Sequence, residues 1–278
     1  MNVPRTRKDD WMNDLLAQSG YYVSGHATFT QQLGLPIDII ATVRHARLYS
    51  SAYPDVFLLV LECPFDPKSG AINFRALRAN TTYQELASLL VVLPVLAFQQ
   101  QRPGYFLVDE GKGPIVMNDT DLQLWFGNID PAYTQNIGTT KPVNRTANDM
   151  FVLWTGTNLT RQCVFNDIDA LIPPRNTQPG VLIELKRPKS NLAYWGPYAA
   201  DTRNYESSAA IARHLGLENR TIAHNMNRTS QVALFLDIRP DSRGRLVSRR
   251  AMVEPNDAIA IPLPRHVVAR LAHHESGN

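Results

Sequence analysis

The sequence is poor in cysteine, with only Cys63 and Cys163 among its 278 residues. Two thiols cannot form the disulfide framework of a small secreted domain, and they are too few for a four-thiolate zinc site. The core must therefore rest on the burial of apolar side chains, for which a hydrophobic content of 44% is ordinary. A chain of this length suits one large domain or two smaller ones.

A long apolar run is also missing. The most apolar stretch, residues 86–98, is shorter than the roughly 20 residues that a helix needs to cross a bilayer. Residues 1–11 are rich in charge and precede no apolar run, so they do not resemble a secretory signal. We expect a protein that does not contact membranes and that resides in the cytoplasm, or in the nucleus if the organism is a eukaryote.

Several catalytic signatures are absent as well. The sequence has no glycine-rich phosphate loop and no Gly-x-Ser-x-Gly turn, so neither an NTPase nor a serine hydrolase is supported. The seven histidines show no metal-ligand spacing with cysteines or carboxylates. Chemistry must therefore be sought among the acidic and basic side chains.

Positive charge is concentrated in the second half of the chain. The first 140 residues carry 10 Lys and Arg against 13 Asp and Glu, whereas the rest of the chain carries 18 against 12. Most of this positive charge is arginine, which can bind a phosphate through two parallel hydrogen bonds. A solvated basic face would account for the charge alone, but its sign is that of a protein that binds nucleic acid.

Turn-forming residues divide the chain into two regions. Residues 129–148 are rich in Pro, Gly, Asn and Thr and are typical of a long loop, so we place a boundary near residue 140. We predict that residues 1–140 form a mixed α+β region that contributes substrate recognition or the contacts of a homodimer. Its predicted elements are strands over 37–43 and 56–63, a helix from about 83 after a capping box at Thr82, a hairpin of 105–108 with 114–117, and a helix through 122–125 capped by Asn118 or Thr120.

The second region, residues 141–278, has the element order of a small α/β core. Asn204 is a candidate cap for the helix of this core, and Gly216 lies just past its end. The predicted elements are strands over 163–172, 181–187 and 231–238, a helix over 205–215 and a tail helix over 265–272. Strand, strand, helix and strand in this order indicate an α/β fold.

The predicted strand at residues 181–187 keeps two charges in an apolar context. Side chains alternate along a strand, so Leu182, Glu184 and Lys186 share one face. Burying a charge without a partner is costly, and a core strand keeps two charges only when something balances or uses them. The simplest structural alternative is an ion pair of Glu184 with Lys186 or Arg187 on an edge strand.

The preceding strand supplies further carboxylates. Asp167 and Asp169 share one face, and the Pro-rich loop that follows allows an antiparallel pair in which Asp169 lies close to Glu184. Two carboxylates and a backbone carbonyl make a site suited to Mg²⁺ or Mn²⁺, with Asp169, Glu184 and Asp167 as candidate ligands. Lys186 would orient or deprotonate a water molecule, or neutralise the charge that develops on the phosphorane.

The phrase Asn-Asp-Ile-Asp169, followed by Ile-Glu184-Leu-Lys186, resembles the PD-(D/E)xK nuclease superfamily over about residues 163–240. The resemblance implies a restriction-endonuclease-like αβββαβ core in the C-terminal half. It also implies that Asp169 and Glu184 bind the metal and that Lys186 is the catalytic lysine. We expect a Mg²⁺-dependent nuclease that acts on DNA in preference to RNA, of restriction or defence type. An RNA nuclease or RNA-end-processing enzyme is the nearest enzymatic alternative.

The sequence departs from the superfamily pattern in two respects. No Pro precedes either Asp167 or Asp169, and we prefer Asp169 because an Ile-Asp step near the end of the strand is the commoner form. Many members also have a Glu on the first core helix, but no Glu occurs between Glu110 and Glu184. That ligand is then absent or comes from farther upstream, for example from Glu85 or Glu110.

Two further triplets of an acid, any residue and Lys serve as internal controls. Asp66-Pro-Lys68 and Glu110-Gly-Lys112 both fall in predicted turns, where solvated charges need no explanation. Only Glu184-Leu-Lys186 lies within an apolar strand that follows an Asp-bearing strand. The triplet at Glu184 is therefore the candidate site.

Two other readings remain open. The aromatic segment Tyr194-Trp-Gly-Pro-Tyr198 either stacks on bases or is a loop held by buried rings. The whole chain, alternatively, is a non-catalytic nucleic-acid-binding or structural protein, such as a viral component. Loops rich in Asn, Thr and Pro suit that alternative, as do six Asn-x-Ser/Thr triplets, which begin at Asn80, Asn118, Asn144, Asn158, Asn219 and Asn227.

Overall fold

The structure, a computed structural model, divides into two compact units that are described separately. The C-terminal unit comprises Met1–Phe29 with Ile168–Asn278, and the middle unit comprises Thr30–Asp167. The residues described are 10–23, 40–48, 59–62, 95–98, 103–129, 134, 150–159, 163–175 and 177–276. The side chains of residues 10, 40–48, 59–62, 95, 129, 152, 163–167 and 214 lie outside the description.

The described parts of the chain contain both helices and strands. The elements are, in chain order, α1 (Asp10–Gln18), β1 (Tyr22–Val23), β2 (Ile40–Leu48), β3 (Leu59–Glu62), β4 (Val95–Phe98), β5 (Phe106–Asp109), β6 (Pro114–Met117), α2 (Asp119–Ile129), α3 (Met150–Asn158), β7 (Cys163–Asp167), β8 (Ala170–Ile172), β9 (Gly180–Lys186), α4 (Thr202–Leu215), β10 (Leu217–Ala223), β11 (Val232–Pro240), β12 (Leu246–Val253), α5 (Pro255–Ile259), α6 (Arg265–Arg270) and β13 (Ala272–Glu275). The protein is therefore a mixed α/β protein.

The C-terminal unit is built on a mixed sheet of seven described strands. Their order is β1-β8-β9-β10-β11-β12-β13, so β9 and β10 occupy the interior of the sheet. The pair β9–β10 is parallel, and every other neighbouring pair is antiparallel. The helix α4 connects β9 to β10 and packs on the sheet, as the connection of a parallel pair requires.

A buried arginine on β10 connects this sheet to α5. Arg220 is fully buried, and its guanidinium forms a two-point ion pair with Glu218 at 3.0 and 3.1 Å. Its remaining nitrogen donates to the carbonyl oxygens of Ala258 and Ala260 at 2.9 and 2.8 Å. Every charge-bearing group of this side chain is thus satisfied, which is the condition for burying it.

The segment after α1 contacts the same place. The hydroxyl of Tyr21 donates a hydrogen bond of 2.7 Å to the carbonyl oxygen of Ile259. Burial raises the pKa of Tyr21 to about 12, so this phenol remains a donor throughout the physiological pH range. The N-terminal helix and strand therefore belong to the same packed unit as the last third of the chain.

The turn between β8 and β9 is compact. A Cβ added at Gly180 would meet the backbone oxygen of Ile172 and the backbone nitrogen of Pro174, each at 2.7 Å, as well as the side chain of Leu217. Only glycine allows this close approach of the chain to itself. The approach sets β8 antiparallel to β9, with Ala170 opposite Ile183.

The middle unit contains a second sheet of six described strands. Their order is β6-β5-β4-β3-β2-β7, and all neighbouring pairs are antiparallel except β3–β4. Aromatic side chains form much of its core, with Phe151 stacked on Phe98 at 5.9 Å and Trp154 edge-on to Phe106 at 5.3 Å. The predicted hairpin of 105–108 with 114–117 is confirmed as β5 and β6.

The predicted helix through 122–125 is confirmed as α2, and Asn118 is its cap. The side-chain oxygen of Asn118 accepts from the backbone N–H of Asp121 at 2.9 Å, and the carboxylate of Asp121 accepts from the N–H of Asn118 at 3.2 Å. This reciprocal pair satisfies two donors at the helix start. The predicted helix from about 83 lies outside the described residues, as does most of the loop at 129–148.

The single strand predicted over residues 163–172 is wrong. The chain forms β7 up to Asp167, bends at Asp169, and begins β8 at Ala170. The two short strands pair with different partners, β7 with β2 in the middle unit and β8 with β1 and β9 in the C-terminal unit. Residues 163–172 contain no Pro or Gly that would signal a break between two strands.

The unit boundary also differs from the one placed near residue 140. The structure divides the chain between Asp167 and Ile168, and it joins the first 29 residues to the C-terminal unit. The Pro- and Gly-rich residues around 129–148 indicated a loop, but a loop within a unit has the same composition as a linker between units. Hence composition alone did not locate the division.

In the C-terminal unit the predicted strands at 181–187 and 231–238 correspond to β9 and β11, and the predicted tail helix corresponds to α6. The helix predicted over 205–215 begins three residues earlier, so Asn204 is not its cap; Asp201 is the cap residue, without a side-chain hydrogen bond. Gly216 ends the helix with a φ of 67°, as predicted.

None of the helices in the described ranges is long and apolar enough to cross a membrane.

Candidate active site

Glu184 and Lys186 lie on β9, well inside the sheet. Their side chains form an ion pair of 2.9 Å and are 9% and 21% exposed, respectively. The strand β9 lies between β8 and β10, but β8 pairs only with residues 181–183, so at Glu184 and Lys186 the backbone of β9 is paired with β10 alone. The other residues of β9 are glycine or apolar, so Glu184 and Lys186 are the only charged side chains on this strand.

Asp169 lies against the same strand. Its Oδ2 accepts a hydrogen bond of 2.7 Å from the backbone N–H of Leu185. The pairing of β8 with β9 ends at Ala170 opposite Ile183, so Asp169 follows on from that pair toward the part of β9 that carries Glu184. The antiparallel pairing expected from the sequence thus brings Asp169 to the strand that carries Glu184 and Lys186.

Two residues at the start of α4 complete the surroundings of Lys186. The carboxylate of Asp201 lies 4.0 Å from Nζ of Lys186, and the ring of Tyr205 lies beneath that nitrogen at 5.7 Å from its centroid. Cation–π contact and a second carboxylate both favour the charged amine. Lys186 is therefore held from the strand side by Glu184 and from the helix side by Asp201 and Tyr205.

The environment keeps Lys186 protonated. Burial acts to lower the pKa of Lys186, but the charge and hydrogen bond of Glu184, with smaller contributions from Tyr205 and Asp201, outweigh it and raise this pKa above its ordinary value. Burial likewise raises the pKa of Tyr205, which Lys186 only partly opposes, so Tyr205 stays a neutral phenol. The arrangement favours Lys186 as a positive charge and not as a base.

Not every predicted residue is placed at this site. Asp167 ends β7 in the middle unit, where its backbone pairs with Arg44, and its side chain lies outside the description. Glu85 lies outside the described residues, and Glu110 belongs to the middle unit, where its Oε1 accepts from Trp125 at 2.8 Å. The helix that precedes β1 is α1, and it carries an acid at Asp14.

The control triplet Glu110-Gly-Lys112 behaves as expected. It occupies the exposed turn between β5 and β6, where the carboxylate of Asp109 accepts backbone N–H groups from Gly111 and Gly113. Charges there are solvated and need no further partner. The other control, Asp66-Pro-Lys68, lies outside the described residues.

The aromatic segment after β9 contains one buried and two exposed rings. Trp195 is 3% exposed and packs edge-on against Phe235 at 5.3 Å, so it pins the loop to the sheet. Tyr194 and Tyr198 are 86% and 52% exposed. The carbonyl oxygen of Tyr198 accepts from the N–H of Asp201 at 2.9 Å, which sets Tyr198 next to a residue that contacts Lys186.

The donor set fits a divalent cation of the magnesium type. Among the described residues no group of three or more His, Cys, Asp or Glu side chains is arranged to hold a metal. Mg²⁺ does not need such a cage, since it keeps several waters and is commonly bound by one or two carboxylates together with substrate phosphate. Asp169 and Glu184 are two carboxylates of that kind on neighbouring parts of the chain.

Asp201 and Tyr205 were missed by sequence reasoning. Asp201 fell in the predicted loop because the helix was expected to start later, and Tyr205 looked like any aromatic on an apolar helix face. The one available signal was topological: a helix that follows a strand and returns in parallel must begin near the end of that strand. The first turn of α4 therefore had to lie near Lys186.

Comparisons of the chain with protein-family models, with curated proteins and with solved structures found no match. Reasoning about function therefore depends on the residues and geometry described above.

Proposed function

We propose that the chain is a metal-dependent nuclease that hydrolyses phosphodiester bonds at Asp169, Glu184 and Lys186. The observation that carries the proposal is the 2.9 Å pair of Glu184 with a protonated Lys186 on an interior strand, with Asp169 bound to the next backbone N–H. Carboxylates that can bind a hard cation lie beside a fixed positive charge, and metal-dependent phosphodiester hydrolysis uses both.

In this proposal Asp169 and Glu184 hold a Mg²⁺ or Mn²⁺ ion. When bound, the metal polarises the phosphate and lowers the pKa of a water molecule. Asp169 is oriented by the N–H of Leu185, and Glu184 is oriented by Lys186. These contacts preorganise the two carboxylates on rigid backbone before any cation arrives.

Lys186 contributes positive charge to the reaction. A water oxygen would bond to phosphorus and release its proton to solvent, and the bond from phosphorus to the sugar oxygen would break as that oxygen takes up a proton from solvent. Negative charge would accumulate on the phosphoryl oxygens between these events. The ammonium of Lys186 is suited to neutralise that charge, and its raised pKa argues against its acting as the base. Asp201 and Tyr205 contact Lys186 and would position it.

The order of elements in the C-terminal unit supports the resemblance to PD-(D/E)xK nucleases. The unit runs α1, β1, β8, β9, α4, β10, with antiparallel β1–β8 and β8–β9 and a parallel β9–β10. This is the αβββαβ order implied by the resemblance, with the middle unit inserted after β1. A DNA substrate, an endonucleolytic mode of restriction or defence type, and a homodimer rest on the resemblance alone.

A structural ion pair is the rival reading, because Glu184 and Lys186 do contact each other. An interior ion pair, however, is a weak source of stability, since well-packed apolar residues in its place are often neutral or stabilising. The carboxylates of Asp169 and Asp201 also lie near the pair. A cation-binding role would use more than one of these carboxylates, whereas a single ion pair would not.

The proposal is tested by incubating the purified protein with plasmid, linear duplex, single-stranded DNA and structured RNA, each with Mg²⁺, Mn²⁺ or EDTA. We expect cleavage of at least one DNA substrate with a divalent cation and none with EDTA. Cleavage of RNA alone would establish the RNA-nuclease alternative. No cleavage of any substrate with either metal would contradict the proposal and favour a structural or binding role.

Replacing Tyr198 with Ala should weaken the binding of single-stranded DNA by about tenfold, because one stacked base contributes about 1–3 kcal/mol. The ring of Tyr198 is exposed and packs edge-on against the buried Trp195, with their centroids 5.8 Å apart. Fluorescence anisotropy in EDTA measures this affinity without cleavage.

The matched control for this variant is Met226→Ala, which removes another exposed side chain from the C-terminal unit. It should leave the affinity unchanged. Equal affinity of Tyr198→Ala and the unaltered protein would mean that the aromatic segment only holds the loop in place.

A further inference from the structure

Strands β10 and β11 separate at one end of the sheet in the C-terminal unit. Their pairing ends at Arg220 opposite Leu236. Beyond that point residues 217–219 pair only with β9, and residues 239–240 pair only with β12. The result is a fork between two neighbouring strands, at the end of β10 opposite to the one that pairs with Lys186.

A residue with a left-handed backbone conformation lies beside the fork. Asp237 has a φ of 55°, a left-handed conformation that is uncommon for residues other than glycine. The register of β11 against β12 shifts at the same place, between Leu236 and Arg239. A bulge bends its strand, and both bulges and strained residues are common beside binding sites.

The fork forms one wall of a pocket of about 600 Å³. The helix α4 forms the opposite wall through Ala209, Ala212 and Arg213. The two alanines are small, so the helix leaves space where larger side chains would fill it. A pocket of this volume is in the range that binds drug-sized ligands, and it exceeds what a single inorganic anion occupies.

Arginine gives the pocket an excess of positive charge. Arg213, Arg239 and Arg249 line it, together with the acids Glu218 and Asp237. Both acids are already engaged, Glu218 by the buried Arg220 at 3.0 Å and Asp237 by Arg249 at 2.7 Å. Within the described residues Arg213 and Arg239 form no ion pair, so two guanidinium groups are available to an anion.

The remaining walls suit a flat, partly polar group. The side chains of Leu217 and Ile238 are apolar, and Asn219 adds an amide to the lining. Guanidinium groups bind phosphate through paired hydrogen bonds, while aliphatic walls and an amide suit a nucleobase.

We propose that this pocket binds a nucleoside phosphate, with Arg213 and Arg239 on the phosphate and the apolar walls on the base. The pocket lies on the sheet end away from Lys186 and uses none of the residues proposed for catalysis. The inference goes beyond the proposed nuclease activity and does not depend on it. The ligand is a free nucleotide or the phosphorylated end of a nucleic acid strand, which share this chemistry.

The test is isothermal titration in EDTA with AMP, adenosine, orthophosphate and two short oligonucleotides, one with a 5′-phosphate and one with a 5′-hydroxyl. The protein is compared with the double variant Arg213→Gln/Arg239→Gln. The control is Arg243→Gln, which removes one charge from the exposed turn between β11 and β12, outside the pocket. Circular dichroism establishes that all three proteins are folded.

AMP should bind more tightly than either adenosine or orthophosphate, and the double variant should weaken AMP binding at least tenfold, since charged hydrogen bonds are lost with each guanidinium. The control should bind AMP as the unaltered protein does. Tighter binding of the 5′-phosphorylated oligonucleotide than of AMP would identify a strand end as the ligand.

Three results would overturn the inference. One is the absence of AMP and phosphorylated-oligonucleotide binding. Another is equal affinity for orthophosphate and AMP, which would mean that no base is recognised. The third is an equal loss of AMP affinity in Arg243→Gln and in the double variant, which would mean that general positive charge accounts for the binding. None of these results bears on cleavage at Glu184, because metal is chelated throughout.

Discussion

Replacing Lys186 with Met should lower metal-dependent cleavage by about 10²- to 10³-fold, the usual cost of removing one preorganised charge from a reacting centre. Nζ of Lys186 is held 2.9 Å from Glu184 and lies over Tyr205, so its position is fixed, and in the proposed mechanism its charge neutralises the phosphoryl oxygens. Methionine keeps most of the length and packing of the side chain but removes the charge and its ion pair with Glu184. Cleavage is followed on the substrate that the unaltered protein cuts.

The matched control for this prediction is Lys189→Met, three residues farther along and exposed. It should cleave at close to the unaltered rate, and far-UV circular dichroism should be the same for both variants. Equal rates for Lys186→Met and the unaltered protein would remove Lys186 from the mechanism. Equal losses in the two variants would attribute the effect to general electrostatics.

Replacing Arg220 with Met should reduce the free energy of unfolding by about 3–5 kcal/mol, the usual effect of breaking a buried ion pair from one side. Arg220 is fully buried, and its removal leaves Glu218 and the carbonyl oxygens of Ala258 and Ala260 without their donor. The packing of α5 against the sheet depends on these bonds. Urea denaturation followed by circular dichroism gives the change.

Arg249→Met is the control for the stability prediction. It breaks an ion pair with Asp237 whose side chains are 50% and 61% exposed. Exposed pairs contribute about 1 kcal/mol or less. A loss in Arg220→Met no larger than in Arg249→Met would show that Arg220 does not tie α5 to the sheet.

The candidate site was predictable where it depended on strand periodicity. Alternation alone placed Glu184 and Lys186 on one face, and the Pro-rich loop implied the antiparallel partner that brings Asp169 close. The contributions of Asp201 and Tyr205 were not predictable, because they depend on where α4 begins relative to β9. Local sequence does not encode that distance.

The fold was predictable for elements whose pattern matches their burial. The strands β9 and β11 are almost wholly apolar and were recognised, whereas β10 was not. In β10 the polar residues Glu218 and Arg220 alternate in a way that suggests solvent, although Arg220 is buried and neutralised by Glu218. A charge that is paired inside the protein looks in sequence like a charge in water.

The membership of the N-terminal segment was equally hidden. The helix α1 and strand β1 pack with residues more than 140 positions away, such as Leu171 opposite Tyr22. Contacts of this range leave no mark on the local pattern. The sequence alone therefore did not place α1 and β1 in the C-terminal unit.

The most direct test of the proposed site compares Glu184→Gln with Glu110→Gln, the same change in the two described triplets of acid, any residue and lysine. Both proteins are assayed for Mg²⁺- or Mn²⁺-dependent cleavage, and their stability is measured by urea denaturation. We predict that Glu184→Gln loses cleavage while remaining folded and that Glu110→Gln cleaves normally. Cleavage by Glu184→Gln at the unaltered rate would contradict the nuclease site. The site would also be contradicted if neither variant nor the unaltered protein cleaved any substrate and Glu184→Gln only lost stability.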